Sequence, residues 1–376
     1  MTATRSPDVV IVGGGVIGCG IAYELAKRGA GVMVMEKDVL GSGASNASAG
    51  MLAPLSDGRE PPSVRQLGAL AFRMYPRFIE EIEEAAGMTV ECISSGIIRT
   101  AVTEEEATVL RQAEAAAADL DLKLEWLSGE QARKLEPLIG PEVVAATFSP
   151  SEPHLNPSRL VESLRRAAVR HGAEFREHTT VTGLIRAGDT ITGVRLTDEV
   201  VSANLVALAM GSWSCLAGQW LDLDVPIFPV RGQMVYVNRS DRPLRHTVIH
   251  HNAYATPKGD GTTLLGTTVE HAGFDARVTV SGITSVLGGV QRLLPSFGDA
   301  TINHTRVGLR PWSKDNLPVL GPVPGINGVI IASGHYRSGI LLTPITADLI
   351  ARFIVGGAAS ADFGPHSAAR LTRTGL

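Results

Sequence analysis

The sequence has few cysteines, little net charge and no long uninterrupted apolar segment. Its three cysteines, Cys19, Cys92 and Cys215, are widely separated and match neither a disulfide framework nor the spacing of a zinc site. Such isolated thiols are typical of proteins from a reducing compartment. The formal net charge of -4 on 376 residues gives no reason to expect nucleic acid or an anionic membrane as a partner.

The apolar stretches do not resemble a signal peptide or a membrane helix. The first apolar run, Val9–Val12, follows an acidic residue and continues into glycines instead of a cleavage site. The last long stretch, 339–357, contains Asp348 and Arg352, which indicates a helix on a protein core and not a membrane span. We therefore expect a cytoplasmic protein with no membrane partner.

Strand and helix patterns alternate near both ends of the chain, and short strands dominate between 233 and 310. Val9–Val12, an apolar helix that ends at Gly29, and a second strand at Val32–Met35 form a βαβ unit of about thirty residues. The other predicted helices are 62–86, 103–118, one that begins after the N-cap Asn156, one near 280–294, and a final one that ends near Val355.

The turn after the first strand carries a glycine motif for binding phosphates. Gly13 permits the turn, Gly15 lets the backbone approach a pyrophosphate, and Gly18 lets the helix pack on the strand. Glu36 ends the second strand and can accept hydrogen bonds from ribose hydroxyls. The glycines alone could be a structural turn, but strand, helix and acid together predict a dinucleotide site.

Glu36 argues against the 2′-phosphate of NADP but not against NAD, so it does not by itself distinguish FAD from NAD. Two other features of the sequence favour FAD. The segment 41–55 is a long loop rich in Gly, Ser and Ala, and a second strand–glycine–helix unit lies at 329–355. An NAD enzyme would need neither feature, so we expect FAD.

The loop 41–54 resembles the flavin-contacting loop of the D-amino acid oxidase superfamily, and within it that of the glycine oxidases of the thiamine pathway. Segments 308–311, 334–344 and 363–365 are similar to the same family. The resemblance covers nearly the whole chain. It implies oxidative deamination of a small amino acid or amine, with O2 reduced to H2O2, in a homo-oligomer that is a tetramer.

The resemblance also implies how the cofactor is held. A helix that begins near Ile340 would direct its positive end at the flavin edge where negative charge develops. A relative with covalent flavin has histidine where this chain has Ala47, so non-covalent FAD is expected. The predicted FAD-binding residues are Gly13, Gly15, Val16, Ile17, Gly18, Glu36, Lys37, Ala44, Ser45, Ala49, Gly50, Met51, Val181, Gly334, His335, Tyr336, Arg337, Ser338, Gly339, Ile340 and Leu341.

Three residues are the candidates for substrate chemistry. Arg310 precedes a proline, which favours an extended backbone, and the resemblance implies that its guanidinium clamps the substrate carboxylate. Tyr254 matches a tyrosine that lines the pocket near that carboxylate, and Arg337 belongs to the last motif. From local sequence alone, Arg310 could equally be a surface residue and Tyr254 a half-buried strand residue.

Some positions depart from the family and leave the substrate open. Asn252 replaces a histidine, and Val269 replaces a pocket methionine. Sarcosine, D-alanine or D-proline is therefore an alternative to glycine, as is a dehydrogenase with a non-oxygen acceptor or an inactive binding module. His250 and His251 have no acidic or sulfur companion at ligand spacing, so no metal site is predicted.

We expect an α/β fold in which a Rossmann-like FAD-binding domain is interleaved with an antiparallel-sheet α+β substrate domain. The segment 56–65, which contains adjacent prolines, is expected to gate the pocket. The predicted FAD-binding domain comprises 1–85, 150–225 and 306–376, and the substrate-binding domain comprises 86–149 and 226–305.

Overall fold

The computed structural model describes residues 6–55, 60–118, 120–239, 242–356 and 359–372. Residues 56–59, at the start of the expected gating segment, lie outside the described residues. The α-helices in the described part of the chain are α1 (Val16–Lys27), α2 (Pro62–Ala86), α3 (Glu104–Ala118), α4 (Gly129–Leu135), α5 (Pro157–Arg170), α6 (Ala217–Leu221), α7 (Val280–Leu293) and α8 (Thr343–Val355).

The strands form three sheets of six, eight and three strands. In chain order they are β1 (Val9–Val12), β2 (Val32–Met35), β3 (Ile97–Ala101), β4 (Glu125–Ser128), β5 (Ala145–Ser149), β6 (Glu174–Arg176), β7 (Gly183–Ala187), β8 (Thr190–Arg195), β9 (Val200–Ser202), β10 (Leu205–Leu208), β11 (Ile227–Asn238), β12 (Thr247–His250), β13 (Ala253–Pro257), β14 (Thr262–Gly266), β15 (Thr301–Ser313), β16 (Val319–Pro322) and β17 (Val329–Ser333).

The six-stranded sheet has the order β16-β17-β10-β1-β2-β6, and all its neighbours are parallel except β16 and β17. Successive residues of β1 serve opposite faces. Val9 and Ile11 join the core formed with α1, α2, α5 and α8, whereas Val10 and Val12 join the core beneath the three-stranded sheet β7-β8-β9. A sheet buried on both faces explains why its strands are continuous apolar runs.

The eight-stranded sheet has the order β15-β11-β14-β13-β12-β3-β5-β4. Its longest pairing is the antiparallel one between β11 and β15. One face shares a core with α7, and the opposite face, which includes Met234 and Tyr254, packs against Ala49 and Ala53 of the 41–55 loop. The loop therefore lies between the two large sheets.

The predicted fold class is confirmed, and so is the βαβ unit, in which β1 and β2 are parallel neighbours. The Asn156 side chain caps α5 by accepting a hydrogen bond from the Arg159 N–H. The predicted helix start near Ile340 is wrong, because α8 begins at Thr343. Pro344 occupies its first turn, where proline fits, and residues 339–342 form turns before it.

No helix in the described residues is both long enough and apolar enough to span a lipid bilayer.

Candidate functional site

A cavity of about 550 Å³ is lined by residues of both large sheets. The carboxyl ends of the parallel strands open onto it, with Gly13 after β1, Glu36 after β2 and Ala209 after β10. Met234 and Tyr254 line it from the antiparallel sheet. Ligands of open α/β sheets bind in this position, outside the carboxyl ends of the strands. The volume lies within the usual range for a ligand or cofactor pocket.

The glycine turn after β1 has no room for side chains at Gly13 and Gly18. Gly13 has φ +108°, and a Cβ added there would lie 2.4 Å from the Ala209 carbonyl oxygen. A Cβ on Gly18 would lie 2.0 Å from the Gly13 carbonyl oxygen, so this glycine lets α1 approach the strand. Gly15 is the N-cap of α1 and faces the cavity, where the N-terminal N–H groups of the helix attract anions.

Side chains after β2 and in the 41–55 loop support this turn. The Glu36 carboxylate accepts hydrogen bonds from the Gly14 N–H at 2.7 Å and from the Asp38 N–H at 2.9 Å. Ser45 Oγ accepts a hydrogen bond from the Val16 N–H at 3.0 Å. The Glu36 carboxylate is therefore held beside the glycine turn at the cavity wall, where a ribose hydroxyl can reach it.

Most of the predicted cofactor residues line the cavity. Three do not, namely Gly18, Gly50 and Gly334. These glycines instead permit backbone conformations or close backbone contacts that a side chain would hinder. Gly50 has φ +77°, and a Cβ there would lie 2.0 Å from the Leu155 carbonyl oxygen. The predicted residues that line the cavity are Gly13, Gly15, Val16, Ile17, Glu36, Lys37, Ala44, Ser45, Ala49, Met51, Val181, His335, Tyr336, Arg337, Ser338, Gly339, Ile340 and Leu341.

The turns that precede α8 are held in place by a hydrogen bond from α2 and by one within the turns themselves. The Tyr75 hydroxyl donates a hydrogen bond to the Ile340 carbonyl oxygen, and the Leu342 N–H donates one to the Ser338 carbonyl oxygen. His335 is buried, which lowers its pKa to about 3, and its Nε2 lies 3.1 Å from Thr346 Oγ1. The ring is therefore neutral and serves to position this segment.

Arg310 reaches the cavity from β15. Its Nη1 donates to the Thr268 carbonyl oxygen at 3.2 Å, and its Nη2 donates to Thr267 Oγ1 at 2.7 Å. Burial, together with repulsion from Arg337, lowers the pKa of the guanidinium. Among the described residues its hydrogen-bond partners are neutral, and no carboxylate forms a salt bridge with it. An arginine still carries its charge under these conditions, so it is suited to binding an anion.

Tyr254 and Arg337 complete the wall near Arg310. Burial raises the pKa of the Tyr254 phenol, while the charge of Arg310 opposes the shift. Arg337 Nη2 donates to Asn252 Oδ1 at 2.9 Å. The acidic residues of the described cavity wall, Glu36 and Asp38, follow β2 of the other sheet. The Arg310 part of the cavity is therefore positively charged and can hold a small carboxylate.

Several lining residues were not predicted. The Trp213 and Phe274 rings lie 5.8 Å apart, and Lys37 Nζ lies 4.4 Å from the Trp213 ring centroid. Trp213 follows the carboxyl end of β10, a position that could have identified it, whereas nothing in the local sequence marks Phe274. Val269, which the resemblance placed in the pocket, is half-buried and does not line the cavity.

The expectation that the His250–His251 pair lacks an acidic neighbour is wrong in three dimensions. His251 Nε2 lies 2.9 Å from Glu106 Oε1, across 145 residues of sequence. The local sequence could not show this contact because α3 and the turn between β12 and β13 are far apart along the chain and meet only in the folded structure.

The family model for FAD dependent oxidoreductases matches residues 8–353. The chain belongs to this family. It is 34% identical to the glycine oxidase of Geobacillus kaustophilus over 98% of each chain. It is 32% identical to the glycine oxidase of Pseudomonas putida over 96% of this chain and 98% of that one.

The fold of this FAD dependent oxidoreductase is also close to a solved structure. The crystal structure of glycine oxidase from Geobacillus kaustophilus matches with a TM-score of 0.93 and 33% identity, covering 98% of this chain and 99% of that one. The cavity fits the family's cofactor, because side chains are excluded at the phosphate turn and Glu36 stands at the end of β2. The cofactor of this enzyme is FAD.

Proposed function

We propose that this enzyme catalyses the oxidative deamination of glycine or a similarly small amine. The Cα–N bond of the substrate is oxidised to an imine, water hydrolyses the imine with release of ammonia, and O2 is reduced to H2O2. The observation that carries the proposal is the half-buried Arg310 side chain, whose guanidinium faces the cavity beside Tyr254 without a carboxylate partner among the described residues. The similar glycine oxidases support the substrate class.

Arg310 would bind the substrate carboxylate. A guanidinium presents two parallel N–H donors that match the two oxygens of a carboxylate. Thr267 and Thr268 hold the group in place through its Nη atoms, which reduces the orientational freedom lost when the substrate binds. The Tyr254 phenol stays protonated because burial raises its pKa, so it can donate a further hydrogen bond to the same carboxylate.

The two arginines also favour the reactive protonation state of the substrate. Loss of hydrogen from the α-carbon needs a lone pair on the amine nitrogen, so the amine must be neutral. Arg310 and Arg337 both line the cavity, and their positive charges disfavour a nearby ammonium. The binding region would therefore lower the pKa of the bound amine while it holds the carboxylate.

FAD supplies the electron acceptor for this reaction. The glycine turn Gly13–Gly18 would hold the pyrophosphate, Glu36 the ribose, and the cavity-lining segment 335–341 the flavin ring. Ala47 offers no nucleophile for a covalent link to the flavin, so we propose that FAD is bound non-covalently.

Oxygen uptake tests the proposal. The purified holoenzyme should consume O2 with glycine and release equal amounts of H2O2 and ammonia. A dehydrogenase would instead reduce an artificial dye rapidly and leave O2 unconsumed. Parallel assays with sarcosine, D-alanine and D-proline rank the alternative substrates. The absence of turnover with all four amines in both assays would contradict the proposal.

We propose that 1–85, 150–225 and 306–376 form the FAD-binding domain and 86–149 and 226–305 the substrate-binding domain. The two large sheets support this division, although β15 crosses the boundary at 306.

We propose a cytoplasmic homotetramer. The free thiols Cys19, Cys92 and Cys215 support a reducing compartment, and light scattering tests the assembly.

A further inference from the structure

Three potential metal ligands from distant parts of the chain meet beside the cavity. Glu106 lies in the first turn of α3, His250 ends β12, and His251 follows it in the turn to β13. One donor atom from each lies within 4.8 Å of the other two. Glu106 Oε1 is 2.9 Å from His251 Nε2 and 3.8 Å from His250 Nε2.

Two of these ligand atoms are already oriented by the backbone. His250 Nδ1 lies 3.1 Å from the Thr100 carbonyl oxygen, which can only accept a hydrogen bond. This contact keeps the proton on Nδ1 and leaves a lone pair on Nε2. Glu106 Oε2 accepts a hydrogen bond from the Val102 N–H at 2.8 Å, which directs Oε1 towards the histidines. Such outer contacts typically orient the ligands of metal sites.

The backbone of His251 also serves this arrangement. Its φ is +52°, in the left-handed region that residues other than glycine seldom adopt. This conformation leaves the two imidazole centroids 4.4 Å apart and brings both Nε2 atoms near Glu106. The His251 side chain is 53% exposed, so solvent can deliver an ion and a water molecule can complete its coordination.

We propose that Glu106, His250 and His251 form a binding site for a divalent cation of the zinc class. Two imidazoles and one carboxylate are a ligand set that zinc favours, with a water in the fourth position. Tetrahedral bonds of about 2.0–2.1 Å imply ligand atoms about 3.3 Å apart, which these partly exposed side chains can reach by small rotations. His251 supplies its Nε2 lone pair once its proton resides on Nδ1.

The position of this site connects α3 to the cavity wall. Asn252 follows His251 in the turn, its Oδ1 accepts from Arg337 Nη2, and its carbonyl oxygen accepts from the Thr267 N–H. A cation held by the three ligands would connect the start of α3 to the loop between β12 and β13. Because a ligand that binds only the folded state stabilises it, metal binding should raise the melting temperature.

Titration calorimetry with ZnCl2 on the chelator-treated, desalted holoenzyme tests the site. The variants are Glu106→Gln, His250→Gln and His251→Gln, with the exposed His171→Gln as the matched control. We expect one zinc ion per chain for the wild type and the control, and binding weakened at least about tenfold in each of the three variants. Zinc should raise the melting temperature of the wild type and the control but not of the three variants.

Two results would overturn the proposal. One is the absence of saturable zinc binding by the wild type. The other is zinc binding by the three variants with wild-type affinity, which would assign the ion to other groups, such as the exposed thiol of Cys92. Circular dichroism of each variant without zinc shows whether it is folded, so a failure to fold is distinguished from the loss of a ligand.

Discussion

Gly232 on β11 leaves the space that the guanidinium of Arg310 on β15 occupies. A Cβ at position 232 would lie 2.2 Å from both Nη atoms of Arg310, closer than real contacts allow. The two strands are neighbours, with Val230 opposite Arg310. The position of Arg310, the proposed binding residue for the substrate carboxylate, therefore depends on the absence of a side chain at position 232 of the adjacent strand.

The substitution Gly232→Ala should displace Arg310 and weaken substrate binding. We expect KM for glycine to rise roughly tenfold or more, because a hydrogen bond to a charged group contributes about 1.5–3 kcal/mol. FAD content should stay unchanged. Gly288→Ala in α7 is the matched control, since a Cβ there meets no atom within 4 Å. An unchanged KM in Gly232→Ala would contradict the dependence of substrate binding on this placement of Arg310.

Arg310→Ala and Arg310→Lys separate charge from geometry. Truncating one partner of a buried charge pair costs about 2–5 kcal/mol, so Arg310→Ala should lower kcat/KM by roughly 30-fold or more while flavin remains bound. Arg310→Lys keeps the charge but loses the paired donors, and we expect it to recover only part of the activity. The test is steady-state kinetics with the flavin content measured in parallel. Full activity of Arg310→Ala would contradict the role.

Glu36→Ala should weaken FAD binding. The variant loses the proposed ribose contact and leaves the Gly14 N–H without its carboxylate partner. We expect the dissociation constant of FAD to rise by about tenfold or more, since hydrogen bonds to a charged group contribute about 1.5–3 kcal/mol. Fluorescence titration of the deflavinated protein measures it, with the exposed Glu174→Ala as control. Equal affinity in both variants would exclude the ribose role.

The parts of the site formed by contiguous sequence were predictable, and the parts formed by long-range packing were not. The glycine turn and Glu36 lie within one βαβ unit, where strand, turn and helix patterns constrain one another. Phe274 contacts Trp213, and Glu106 contacts His251, only because distant segments meet in the fold. No local periodicity encodes such contacts.

The same distinction explains the misplaced start of α8. The apolar residues 340–342 continue the helical pattern, but this segment forms turns whose Ile340 carbonyl oxygen is held by the Tyr75 hydroxyl of α2. A tertiary contact of this kind overrides local propensity. The proline at 344 was the better local signal of where the first helical turn lies.

Lys258 should make stability depend on pH. Burial lowers its pKa from 10.5 to about 7, and its Nζ donates a hydrogen bond to the Ala49 carbonyl oxygen of the 41–55 loop. Between about pH 7 and 10.5 the unfolded chain binds more protons at this residue than the folded one. The stability contributed by this group therefore rises with pH in that window, by up to about 1.4 kcal/mol per pH unit.

The comparison of wild type with Lys258→Met measures this effect. Urea unfolding at several pH values between 7 and 10 should show that the wild type gains stability relative to the variant as the pH rises. The exposed Lys123→Met is the control and should follow the wild type. A difference between wild type and Lys258→Met that does not change with pH would show that Lys258 has an ordinary pKa.

Anaerobic mixing of the holoenzyme with glycine, sarcosine, D-alanine or D-proline tests the proposed amine oxidation most directly, with the visible absorption of the flavin as the readout. We expect a small amine to bleach the flavin band, glycine most rapidly, and Arg310→Ala to slow the bleaching without loss of bound flavin. A flavin band that none of the four amines bleaches would contradict the proposed amine oxidation.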